Sequence, residues 1–134
     1  MRQVQNAYRV LVVLMAGSLW SAALIVAPTL FYEQPDRQLA GQLAGHIFSI
    51  ETYLAIAVAL VGLLLPGRTK MVPAYLAAAM LAVNEWVLRP MMGQARLHGA
   101  SYGLGFGAWH GVSFLLYLVA AFAVLVLVWK NDFR

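Results

Sequence analysis

Asn84-Glu85-Trp86-Val87-Leu88-Arg89-Pro90 closes a run that is otherwise apolar from Met71 to Val83. An amide, an acid and a base arrive together inside a stretch that reads as a membrane-spanning helix. Charges at that depth are costly and face a bundle interior and one another. Glu85 and Arg89 are four apart, on adjacent turns of one helix face. The other helices must supply the surroundings of this cluster.

The chain has 134 residues, 63% hydrophobic and 10% charged, where a soluble domain carries about 25% charged residues. That composition and length fit one small integral membrane bundle, a single transmembrane domain over 1–134. There is no cysteine, which excludes disulfides, thiolate ligands and thiol catalysis. The net charge of +4 is spread over the segment ends. It fits topology and contact with the lipid bilayer rather than a nucleic-acid surface.

Four spans are expected, at about 10–32, 39–65, 72–92 and 105–129. The first follows a basic leader with Arg2 and Arg9, and its apolar run is longer than the core of a cleaved signal peptide. Pro28 is expected to kink or end it. Pro66-Gly67-Arg68-Thr69-Lys70 is a basic turn, and Arg96 and His98 fall in a glycine-bearing loop. Arg2, Arg9, Arg68, Lys70, Lys130 and Arg134 outnumber Arg37, Arg89 and Arg96 on the opposite side. The excess predicts both termini in the cytoplasm of a cell with an inner, or plasma, membrane. Asn84, Glu85, Arg89, His46 and His110 then lie in the outer half, with Glu51 near the middle, and any site opens outward.

The second and fourth spans share a pattern. His46, Ser49 and Tyr53 recur as His110, Ser113 and Tyr117, and Gly41 and Ala44 match Gly105 and Ala108. Offsets of three and seven keep these residues on one helix face. The pattern suggests two repeated helical hairpins, related by an axis along the membrane normal, although the first and third spans align poorly. Rows of small residues, Gly41-Gly45-Ser49 and Gly103-Gly107-Gly111, are first a packing signal. The fold class is therefore all-α, a four-helix integral membrane bundle.

Further stretches carry a family likeness. They are Ala27-Pro28-Thr29-Leu30-Phe31, Gly41 to Phe48, Asn84 with Arg89-Pro90, and Phe106-Gly107-Ala108-Trp109-His110-Gly111-Val112-Ser113. Together they resemble the transmembrane protein 205-like family, a membrane domain of unknown function. The resemblance spans nearly the whole chain. It implies four membrane helices and no established activity.

Each polar group has a structural and a functional reading. Glu85, Arg89 and Asn84 form either a locking ion pair with an interhelical amide or a site for a small polar or anionic molecule. In the second case Arg89 is the anchor, because its fork of donors suits planar acids. Glu51 is a lone mid-membrane acid: a proton or cation site, or a structural hydrogen bond to Arg89 or a histidine. His46 and His110 either bond the serines and tyrosines across the interface or bind a ligand. At equal depth they suggest a bis-histidine haem b electron-transfer protein as the alternative function. A divalent metal on His46, His110 and Glu51, or a soft metal on Met91, Met92 and His98, has weaker support. No glycine-rich phosphate loop, nucleophile elbow or zinc-protease motif is present. The sequence leans away from an enzyme. It favours a binding or transport-related module, with a structural subunit as a further alternative. Four spans are few for a transporter, so a homo-oligomer or larger membrane complex is expected.

Overall fold

The computed structural model describes residues 2–64 and 72–130. The basic turn Pro66 to Lys70 and the tail beyond Lys130 lie outside the described residues. Four helices make up the fold: α1 Arg2–Glu33, α2 Arg37–Leu63, α3 over residues 72–98 and α4 Phe106–Lys130. Helices α1, α2 and α4 are long and apolar enough to cross a membrane. Helix α3 carries Asn84, Glu85, Arg89 and Arg96, so its apolar part is shorter. Each helix packs on its two chain or ring neighbours, α1 on α2, α2 on α3, α3 on α4 and α4 on α1. The short links at 34–36 and 99–105 make α1 and α2, and α3 and α4, antiparallel pairs. Asp36 caps α2 by accepting from Gln38 N at 2.9 Å and Leu39 N at 3.1 Å, a contribution of about 1 kcal/mol.

The burial pattern suits lipid. Leu14, Leu24, Ile25, Leu115 and Trp129 point outward at 62% exposure or more. The seams instead hold alanines such as Ala55, Ala74, Ala77, Ala120 and Ala121, each at 0%. In lipid, packing and interhelical hydrogen bonds drive association, because tails are as apolar as leucine. Small seam residues bring the backbones close. Tyr8, Val12, Leu19, Leu81 and Val124 fill the remaining space.

Two expectations change. Pro28 does not end α1; the helix runs on to Glu33. A wide turn over Ala22–Val26 precedes the proline, with Ala27 N–H bonded to Ala22 O five residues back. The widened turn accommodates a ring that clashes with the carbonyl four residues earlier. Helix α3 has the same device over Asn84–Leu88, with Arg89 N–H bonded to Asn84 O and Pro90 following. The first helices of the two hairpins thus share a backbone feature their side chains concealed. Second, α3 extends to His98, so Arg96 and His98 belong to its last turn and not to a loop. Gly99 stops it at φ 82, in the left-handed region that favours glycine. The link to α4 is a tight turn with Tyr102 and Gly103 at positive φ between paired Ser101 and Leu104.

Candidate functional site

Every seam of the ring carries its own side-chain hydrogen bond. Between α1 and α2, the Ser18 hydroxyl donates to Glu51 Oε1. Between α4 and α1, Trp20 Nε1 donates to Ala121 O at 3.2 Å and Tyr117 to Leu19 O at 2.6 Å. Between α3 and α4, Ser113 donates to Asn84 Oδ1 at 2.6 Å and Asn84 Nδ2 returns to Ser113 O at 3.2 Å. Between α2 and α3, Ser49 Oγ lies 2.8 Å from Glu85 Oε1 and 3.0 Å from Gly45 O, two acceptors for its single hydrogen.

The charged group of α3 is built on that last seam. Arg89 Nη1 lies 2.6 Å from Glu85 Oε1 and also donates to Ser49 Oγ. The acid is the deeper partner: its side chain is 15% exposed, that of Arg89 39%. Gly45 lets the arginine lie flat, since a Cβ there would stand 3.3 Å from Nη2. Gly41 meets Phe31 of α1 in the same row. The packing reading of that row holds for these two positions. The row on α4 differs: Gly107 and Gly111 have no neighbour within 4 Å of a built Cβ.

The serines of the repeated pattern therefore do equivalent work. Ser49 and Ser113 grip the wide turn of α3 from opposite sides, one through Glu85 and one through Asn84. Their histidine and tyrosine partners diverge. Tyr117 is buried, whereas Tyr53 is exposed and meets Trp86 edge-on at 6.1 Å.

His46 and His110 are both exposed. They sit on helices at diagonal corners of the ring, bridged inside by Phe48 and Tyr117 at 4.9 Å. His110 stacks on Phe106 at 5.8 Å, and the Arg96 guanidinium lies over the same Phe106 ring at 4.6 Å. Neither histidine bonds the serines, and the facing imidazoles of a haem b slot do not form inside the chain. Glu51 also departs from expectation: its partner is Ser18, not Arg89 or a histidine. Among the described residues no three His, Asp or Glu side chains gather as metal ligands.

Ser18 was missed by sequence reasoning. One signal could have found it, because Ser18 and Glu51 lie nearly equally far from the turn that joins α1 to α2. Gly45 was read first as packing and otherwise as room for a flat ligand; its position one turn from Ser49 instead marks the bed of Arg89.

Residues 10–101 match the family described as Domain of unknown function (DUF4149), which covers most of the chain. No curated protein and no solved structure matches it. The chain belongs to the DUF4149 family.

Proposed function

We propose that this member of the DUF4149 family is a non-enzymatic binding or transport-related module, with its site at the Glu85–Arg89 pair. One observation carries the reading: the arginine of the pair is the exposed partner and rests on a glycine. Glu85 and Ser49 engage Nη1, while Nη2 lies over Gly45. A small carboxylate or phosphate can take that edge in the two-pronged geometry arginine favours. Asn84 and Ser113 are bonded to each other on the far side of α3 and hold the wide turn in place.

The likeness to the transmembrane protein 205-like family supports the same four-helix setting. The excess of basic residues at one end supports a plasma or inner membrane with both termini cytoplasmic, so the site opens outward. Impermeant labelling of single cysteines at Gln34 and at Ala100 of intact cells is expected; labelling at Thr69 instead would reverse the orientation.

Thermal unfolding of the purified protein with a panel of small carboxylates and phosphates tests the site. At least one compound is expected to stabilise the wild type and to lose its effect in Arg89→Ala. A panel in which every ligand acts equally on both proteins would sink the reading. A second reading, a structural subunit of a homo-oligomer or larger complex, is favoured by Gly107 and Gly111, which present an open small-residue surface on α4. The haem alternative is weaker, because imidazoles on the outside of diagonal helices need a second chain to share one iron.

A further inference from the structure

Glu51 is not used by the binding reading, and the inference drawn from it does not rest on that reading. It lies inside the bundle, 5% exposed. Thr52 beside it is buried too, but its hydroxyl is satisfied by Phe48 O at 3.0 Å. Glu51 is satisfied on one side only. Oε1 accepts from Ser18, and Oε2 is closed off from the surface with no hydrogen-bond partner among the described residues.

The groups on the surrounding helices leave it without a counter-charge. On α1, Tyr8 donates to Val58 O at 3.0 Å, and Arg9 lies nine residues before Ser18, about 13 Å along the axis. On α3, Glu85 and Arg89 hold each other and Ser49, and Tyr75 lies beside Gly62 near the other end of α2. On α4, Tyr117 donates to Leu19 O. On α2 itself, His46 and Tyr53 are exposed. Glu51 forms no salt bridge with any described residue. A lone carboxylate in such surroundings is far costlier than a neutral acid with one hydrogen bond unmade.

We propose that Glu51 is a proton-binding site in the core of the bundle. The carboxyl keeps its proton while α1 and α2 are closed around it. When the seam opens to water, the O–H bond breaks and the proton passes to a water molecule. The Ser18 hydroxyl stays to hold the carboxylate that forms. An intramembrane acid of this kind marks proton pathways in membrane proteins.

Infrared spectra of the full chain in lipid vesicles test this against Glu51→Gln. At neutral pH the wild type is expected to show the carbonyl stretch of a protonated carboxylic acid, and the variant to lack it. Ser18→Ala should shift that band without removing it, because the bond to Oε1 is lost and the proton is not. Glu51→Gln should keep the wild-type helix content and unfolding temperature, since the amide has the shape of the neutral acid. Identical wild-type and variant spectra in this region would overturn the proposal. So would a Glu51→Gln chain that fails to fold, because the core would then require the charge.

Discussion

The wide turns of α1 and α3 are the same backbone in two chemistries. Ala22–Val26 and Asn84–Leu88 each close with a bond five residues back and each precede a proline by the same spacing. Their outward faces also correspond: Leu24 and Ile25 in one, Trp86 and Val87 in the other, all exposed. Their inward faces do not. Ala22 is simply buried, while Asn84 and Glu85 reach across to Ser113 and Ser49. A proline and the turn it demands therefore do not make a site. The polar side chains placed on that turn do, together with two serines on the flanking helices. The first turn is the control that nature has supplied for the second.

The comparison breaks most forcefully at Arg89, whose counterpart in α1 is Ala27. Arg89→Ala leaves Glu85 in the seam without its cation. Breaking a buried pair costs about 3–5 kcal/mol in soluble proteins, and the half-exposed arginine brings the expected loss to the lower end or below. The double change Glu85→Gln with Arg89→Met should be less destabilising than Arg89→Ala alone. Equal unfolding midpoints in detergent for wild type and both variants would remove the ion pair from the account of stability.

Exchanging the inward residues comes next. Asn84→Ala makes the second turn resemble the first and removes both bonds to Ser113. Interhelical hydrogen bonds in membranes average about 0.6 kcal/mol, so a loss of about 1 kcal/mol is expected. The reverse change, Ala22→Asn, buries an amide with no partner prepared and should cost about 1–3 kcal/mol. If Asn84→Ala proved the more damaging of the two, the turn in α3 would owe its form to Asn84 and the equivalence would fail.

The prolines should matter less and matter equally. Pro28 and Pro90 are both exposed, and each follows a turn already widened for it. Pro28→Ala and Pro90→Ala are expected to change stability by less than about 1 kcal/mol each, since neighbouring groups and local adjustments already satisfy the freed backbone. A large effect at Pro90 alone, read by the same unfolding assay, would tie the wide turn of α3 to the polar network.

Gly45→Ala is the smallest change. Its Cβ would press on Arg89 Nη2 at 3.3 Å, which a flexible guanidinium can relieve. Stability should hold within about 0.5 kcal/mol, while binding of a small acid weakens. A variant that binds as well as wild type would detach Gly45 from the site.

Much of the fold was legible before any coordinates. Apolar runs of about 20 residues read as candidate spans, whereas the end of α3 at Gly99 was not legible, because Arg96 and His98 read as loop residues. The pairing of Glu85 with Arg89 followed from their spacing alone, because a helix places such residues on one face. The widened turn that carries α1 through Pro28 was not legible. Proline breaks an isolated helix, but a neighbouring bundle can hold a widened turn in place. The likeness of α1 and α3 was hidden for the same reason: it resides in backbone hydrogen bonds, while AALIV and NEWVL have little in common as letters.

From the chain alone came the number of helices, the apolar runs suited to a membrane, and the polar groups that must find partners. Hydropathy and periodicity are local properties, so a linear reading captures them. Which partners they find depends on how the helices pack. Glu51 turned to Ser18, Asn84 to Ser113, and Arg89 lay down on Gly45, while the two histidines faced outward. Depth along a helix follows from counting residues. Rotation about its axis is set by how four helices pack against one another, and no single helix contains that information.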